Sequence, residues 1–150
     1  NGGGTGKLII TNSQGGVPTE SLVSSVQQAV DPTQDQTGMG IAPIGHIVTV
    51  VGAEALNITI SATFTLQTGL SPSDIQESVN QVVDNYFTAL SRTWDKEDNL
   101  IVRISQIETR LLGVSGVLDV TNVKLNNNTS NISLEANQIP VRNGGVVVNV

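Results

Sequence analysis

Cysteine is absent from the 150 residues, which excludes a disulfide framework, a thiolate metal site and a cysteine nucleophile. Aromatic residues are scarce: two Phe, one Tyr and one Trp. The core is therefore built from Val, Ile and Leu, and a sugar-stacking cleft is disfavoured. Positive charge is short as well, with 7 Lys and Arg against 13 Asp and Glu and a net charge of −6. Nucleic-acid binders carry a basic footprint, so nucleic acid is not expected as a partner. Long apolar runs are missing too. None approaches the roughly 20 residues of a membrane helix, and no membrane span is expected. A single histidine, His46, leaves little for imidazole chemistry.

What is present fits a domain of ordinary size, long enough to bury a core without staples. The chain opens on Asn1 rather than Met, as expected of a fragment, a processed product or a trimmed chain. The Gly-rich residues 1–6 are expected to be a flexible linker remnant, with the first strand beginning at Lys7 in Lys7-Leu8-Ile9-Ile10-Thr11. Asn12 to Gly16 reads as a turn. Leu22, Val23, Val26, Ala29 and Val30 then recur at helical spacing, predicting a helix of about 12 residues, with Pro18 in its first turn, that buries one stripe and ends at Asp31-Pro32. Gly40, Pro43 and Gly45 break structure before a buried strand over Ile47 to Val51.

From Leu56 to Leu66, apolar and polar residues alternate as in one half-buried strand, wet on one face. Ser71-Pro72-Ser73-Asp74 is a helix start. Ile75, Val79, Val82, Val83, Tyr86, Phe87, Leu90 and Trp94 hold a 3.6 period after it, so one long central helix is predicted at about 72–93. A solvated turn at Asp95 to Asn99 leads to a shorter helix through Ile104, Ile107, Leu111 and Leu112, stopped at Gly113. Strands are expected at Val117 to Leu125, Ile132 to Leu134 and Val146 to Val150, with a turn at Asn126 to Asn128. This order gives an α+β fold: helices packed on mixed, mainly antiparallel sheets. Two small subdomains, about 7–53 and 54–150, are one arrangement of it. Each half pairs a helix with a later strand entered through a Gly turn, Ile44-Gly45 or Ser115-Gly116, a pattern compatible with a weak duplication.

The motifs that suggest chemistry fail in context. A phosphate loop in Gly2 to Lys7 needs Gly where Asn1 stands, Ser or Thr where Leu8 stands, and a helix rather than a strand after it. His46 has no His or Cys beside it, so a surface or structural role is expected and no metal site. The calcium-like Asp95-Lys96-Glu97-Asp98-Asn99 has Leu100 at the position needing Gly and Gln106 at the position needing Glu. Val114-Ser115-Gly116 is no nucleophile elbow. The glycosylation-type tripeptides at Asn57, Asn127, Asn128 and Asn131 read as polar turns. No cofactor and no small-molecule substrate are expected, and the chain is read as non-enzymatic. A hydrolase using paired carboxylates would require two of them to face each other in a pocket.

The stretch GIAPIGHIVTVVGAEALNITISATFTLQTG, the helix SPSDIQESVNQVVDNYFTAL and ISQIETRLLGVSGVLDVTNVKLNN together resemble the C-terminal part of the baseplate J-like family, wedge proteins of contractile phage tails and tail-like bacteriocins. The resemblance extends back over KLIITNSQGGVPTESLVSSVQQAVDP and covers residues 7–150. Its closest matches are Gly40, Pro43 and Gly45, the long helix, and Gly116-Val117 before Asp119-Val120. With Gly113, these glycines and Pro43 are structural turns. The resemblance implies a structural role in a phage, prophage or bacteriocin baseplate. Its partners would be copies of the chain and other wedge or hub proteins, its location the virion tail, and its site of assembly the bacterial host cytoplasm. Family members are longer, with an N-terminal portion absent here. The strands Leu56 to Leu66 and Val146 to Val150 would offer edges or faces to neighbours. A different class of reading makes the chain an adhesin-type domain that presents the Asn126–Asn131 loop or the polar strand face to a glycan or receptor, without catalysis.

Overall fold

The structure, a computed structural model, describes residues 4–150; residues 1–3 of the expected linker lie outside it. The chain divides into two compact units, one reaching Glu54 and the other running from Ala55 to Val150. Helices and several mixed sheets make it α+β.

In the first unit, strand β1 (Thr5–Ile10), helix α1 (Glu20–Val30) and strand β2 (Ile47–Gly52) follow one another. β1 and β2 pair in parallel, Thr5 opposite Ile47 and Ile10 opposite Gly52. Parallel neighbours need a crossover of a dozen or more residues, and α1 with its flanking loops supplies it. β1 begins two residues before the expected Lys7. Thr5 and Gly6 belong to the strand rather than to a linker, because their backbone finds partners in the β2 ladder. α1 also departs from expectation. Pro18 precedes it, Thr19 is the N-cap whose hydroxyl accepts from Leu22 N–H at 3.2 Å, and none of its residues is fully buried. A two-stranded sheet is too narrow to cover a helix stripe. For the same reason β2 is half-buried, with only Val50 fully enclosed.

The second unit contains β3 (Glu54–Ile58) from its second residue on, β4 (Ile60–Leu66), α2 (Pro72–Ser91), a single 3-10 turn (Trp94–Lys96), β5 (Ile101–Val102), α3 (Ile104–Leu112), β6 (Val117–Leu125), β7 (Ile132–Ser133), β8 (Gln138–Arg142) and β9 (Val147–Asn149). The alternating stretch expected as one strand is two, broken at Thr59 and assigned to different sheets. β3 pairs with β8, whereas β4 lies between β6 and β9, antiparallel to the first and parallel to the second. β4 is therefore a central strand with no free edge, against the expectation that Leu56 to Leu66 would offer one, whereas β9 does stand at a sheet edge. Leu125, Asn126, Asn127 and Asn128 close a two-residue hairpin turn, with Leu125 and Asn128 exchanging both backbone bonds. Asn126 and Asn127 have φ of 49° and 65°, the left-handed conformation such turns require and Asn tolerates.

α2 is the spine of this unit. Ser71 caps it, and the Asp74 carboxylate accepts from the Ser71 N–H at 2.8 Å and from its hydroxyl at 2.7 Å. Ile75, Val79, Val83, Tyr86 and Phe87 are buried on one stripe against Ile58, Ile60, Ala62 and Phe64 from the strands and Ile107 and Leu111 from α3. The helix stops at Ser91, short of the expected 93. Trp94 falls in the 3-10 turn, where its indole N–H donates to Ala136 O at 2.9 Å.

Candidate assembly surface

A set of polar side chains is occupied with the protein's own backbone. In the first unit the outer edge of β2 is closed by side chains rather than by a strand. Gln27 on α1 donates to Val48 O at 2.9 Å and accepts from Val50 N–H at 2.7 Å. Asp31, only 2% exposed, accepts from Val48 N–H at 2.9 Å and from Gln34 N–H at 3.0 Å. In the second unit Gln76 and Asn80 of α2 hold the Val146 carbonyl and N–H at 2.8 and 2.9 Å. Asn131 accepts from Ile104 N–H, the first residue of α3, at 2.9 Å. Arg142 of β8 forms a two-pronged ion pair with Asp84 of α2, both contacts 2.8 Å, and its guanidinium also donates to Gly144 O. Among the described residues no buried side-chain donor or acceptor lacks a partner.

The residues singled out in the sequence, Gly40, Pro43, Gly45, Gly113 and Gly116, carry no reactive side-chain group. Gly40 lies so close to the end of α1 that a Cβ there would meet Val30 O at 2.4 Å. Ile41 and Ala42 N–H donate to Ala29 and Val30 O, so the loop after α1 is tied to its last turn. Pro43 opens a turn closed by His46 N–H on Pro43 O at 3.1 Å, with Gly45 at φ +88° in its third position. Gly113 is the C-cap of α3 with an ordinary φ of −77°. Gly116 carries the left-handed φ of +91°, and its carbonyl accepts from Gln67 N–H at 2.9 Å.

The chemical candidates do not converge. Thr5 to Lys7 is strand, so this part of the suspected phosphate loop is extended rather than wrapped. His46 is exposed at the entry to β2. Glu97, Asp98 and Asn99 are exposed on the way into β5, and among the described residues no three His, Asp or Glu side chains are grouped to hold a metal. Two carboxyls are held below their usual pKa. Asp74 is lowered by its Ser71 backbone and hydroxyl bonds, and Asp35 by the hydroxyls of Thr37 and Thr33 and the Thr37 N–H. Both shifts favour the ionised form, which suits a cap and not a proton donor. No helix among the described residues is long and apolar enough to cross a membrane.

The surface also presents apolar side chains. Met39, Ile41 and Ile44 are 71%, 78% and 79% exposed on the loop that joins α1 to β2. A shallow groove of about 550 Å3 runs between Val17, Pro18 and Val23 at the start of α1 and Val50 to Ala53 at the end of β2, with Glu20 and Glu54 on its rim. Smaller hollows in the second unit lie between α2 and Val114-Ser115 and beside Tyr86 and Arg103.

These features fit what the chain resembles. Residues 1–52 match the baseplate J-like central domain, a stretch the sequence reading grouped with the C-terminal part. Residues 58–149 match the baseplate J-like protein C-terminal domain. Two proteins of Bacillus subtilis strain 168 are similar over 140 residues, which is 93% of this chain and 38% of each of theirs. One, called uncharacterized protein YqbT, is 33% identical; the other, phage-like element PBSX protein XkdT, is 31% identical. The chain thus spans under two-fifths of the length of these curated relatives. With both of its units matched in order, the chain belongs to the baseplate J-like protein family.

Proposed function

We propose that this chain is a structural part of a phage-type tail baseplate, acting through contacts between subunits in the wedge and with no catalysis of its own. The observation that carries the reading is the paired match, central domain then C-terminal domain, across nearly the whole chain. The relative named for the phage-like element PBSX supports a prophage or bacteriocin setting. Its partners on this reading are copies of itself and neighbouring wedge or hub proteins, in a tail assembled in the host cytoplasm. Several amide and carboxylate side chains, Gln27, Asp31, Gln76, Asn80 and Asn131 among them, bind the chain's own backbone, and exposed apolar side chains are available for contact. Deleting the gene from a host that makes the tail particle, then imaging by negative stain, tests it. Sheaths without ordered baseplates are expected, and intact contractile tails lacking the protein would sink the reading.

The adhesin reading has less support. Asn131 and Asn126, at the ends of the loop it would use, are engaged with Ile104 and Thr59. Glycan-array binding lost on Asn128→Ala would reinstate it.

A further inference from the structure

The link between β8 and β9 is fastened at both ends and open in the middle. Asn143 N–H donates to Ile58 O at 2.9 Å. Arg142, just before it, is held by Asp84 and reaches Gly144 O. On the far side Val146, only 2% exposed, is gripped by Gln76 and Asn80 of α2. Between these anchors the Asn143 side chain is exposed. Among the described residues its amide has no hydrogen-bond partner, and neither has the Gly144 N–H beside it. The amides of Asn80, Asn126, Asn131 and Asn149 are by contrast engaged with backbone. Asn1 and Asn143 are the asparagines followed by glycine, and Asn1 lies outside the described residues. Gly144 has no Cβ to shield its nitrogen, stands at φ +73° and has open space where a Cβ would be.

We infer that Asn143-Gly144 is a self-modifying site, where the Asn143 amide converts without an enzyme to aspartate and isoaspartate and so slackens the hold of α2 on β9. The Gly144 nitrogen attacks Cγ of Asn143 and forms the N–Cγ bond of a cyclic succinimide. The Cγ–N bond of the amide breaks, and its nitrogen leaves as ammonia with the proton that Gly144 gives up. Water then adds to one of the two ring carbonyls and opens the ring. Opening at Cγ restores the normal backbone with an aspartate side chain; opening at the main-chain carbonyl leaves the backbone running through the side chain. Water is consumed and ammonia released, and nothing is oxidised or reduced. Reacting groups on so short a tether need no external positioning. They need only freedom to approach, which an unpaired amide and a bare glycine provide.

The anchors turn this chemistry into a structural event. Either product adds one negative charge to the net −6, beside Arg142, where it competes with Asp84 for the guanidinium. Isoaspartate also lengthens the main chain by one carbon atom between the attachments at Ile58 and at α2. The slack falls on Val146 and on the parallel pairing of β9 with β4 that follows it. Because the ammonia is lost, the link loosens with the age of the chain and does not recover.

The test ages the full chain in mildly alkaline buffer, folded in one series and unfolded in urea in another, with a zero-time digest to subtract conversion during handling. Trypsin cutting after Arg142 releases residues 143–150, a peptide that also carries Asn149 as an internal control. Fragment masses locate the exchange of NH2 for OH, and an isoaspartyl methyltransferase labels the isoaspartate. Conversion at Asn143 is expected in the folded protein at a rate within a few-fold of the unfolded one, with Asn149 unchanged. It is expected to vanish in Asn143→Gln and to slow roughly tenfold or more in Gly144→Ala, where a Cβ crowds the attacking nitrogen. Hydrogen exchange at the Val146 and Val148 amides is expected to be faster in the aged protein than in Asn143→Gln aged beside it. Conversion confined to the unfolded series, or equal at Asn149, overturns the site. Unchanged exchange at Val146 in converted protein overturns the loosening.

Discussion

Asn126 holds both backbone polar groups of Thr59: its N–H donates to Thr59 O at 2.9 Å, and its Oδ1 accepts from Thr59 N–H at 2.8 Å. Thr59 is the residue at which β3 ends and β4 begins in another sheet. One residue, brought 67 residues along the chain, thus supplies with its backbone N–H and its side-chain oxygen the pairing that a continuous ladder would have given. Its φ of 49° aims the amide there. Asn126→Ala is expected to lose a hydrogen bond and strain a left-handed position, costing about 1–3 kcal/mol. Asn126→Gly keeps the φ and loses only the bond, and Asn126→Asp keeps both. Urea unfolding of the three variants separates the terms, with Ala the least stable and Asp nearest the parent.

The junction at Thr59 also shows where sequence reading stops. Alternation runs unbroken from Leu56 to Leu66, and Ile58, Ile60, Ala62 and Phe64 are all buried, so period alone cannot reveal that two sheets share the stretch. α2 was legible because Ile75, Val79, Val83 and Phe87 form a stripe long enough to fix its period and its buried face. β8 was not, since Pro140 cannot donate to a ladder and reads as a breaker; it is accommodated because β8 pairs with β3 alone. β5, two residues long, is too short for any periodicity, whereas β7 lies within the short strand expected at Ile132 to Leu134. The roles of Gln27, Asn126 and Asn131 as surrogates for backbone were not legible, because each partner is more than 20 residues distant.

Asp31 tests the first unit in the same way. Its carboxylate, buried against α1's own end, takes the Val48 and Gln34 N–H groups. Asp31→Ala leaves both donors without a partner in a closed site and is expected to cost about 2–4 kcal/mol. Hydrogen exchange gives the local readout: the Val48 amide speeds up in Asp31→Ala, and the Val50 amide, held by Gln27, speeds up in Gln27→Ala. Unchanged protection at Val48 would show that the edge is closed by something else.

Acid should loosen the protein through two ionised carboxylates, one in the α2 cap and one in the loop after α1. Asp74 and Asp35 both have folded-state pKa values below the ordinary 3.8. A carboxyl lowered on folding contributes stability that is present above its unfolded value and lost as pH falls through the folded one. Stability is therefore expected to hold as pH falls to about 5 and to decline below about 4. In Asp74→Asn the decline is shallower, because the Ser71 cap no longer titrates. Thermal melts at pH 7, 4 and 3 check this, and an equally steep acid limb in the variant would remove Asp74 as a contributor. Arg142, raised chiefly by its hydrogen bond to Asp84, stays charged throughout and adds no slope in that range.

Gly113 and Gly116 look alike in sequence and differ in physics. Gly113 sits at φ −77°, and a Cβ there would find its nearest atom, Arg110 O, at 3.5 Å, an ordinary contact. Gly113→Ala is expected to be neutral, or to stabilise by up to about 1 kcal/mol through the unfolded chain. Gly116 sits at φ +91°, and a Cβ would meet Leu70 Cδ1 at 2.4 Å. Gly116→Ala is therefore expected to cost about 1–3 kcal/mol from backbone strain, with the collision added. Leu70 is 38% exposed and can be shortened at small cost. Leu70→Ala in the Gly116→Ala background should recover the collision and leave the strain. Melting the four proteins decides between the two terms: full recovery would mean that sterics alone demand glycine at 116, and no recovery would assign the whole penalty to the left-handed turn.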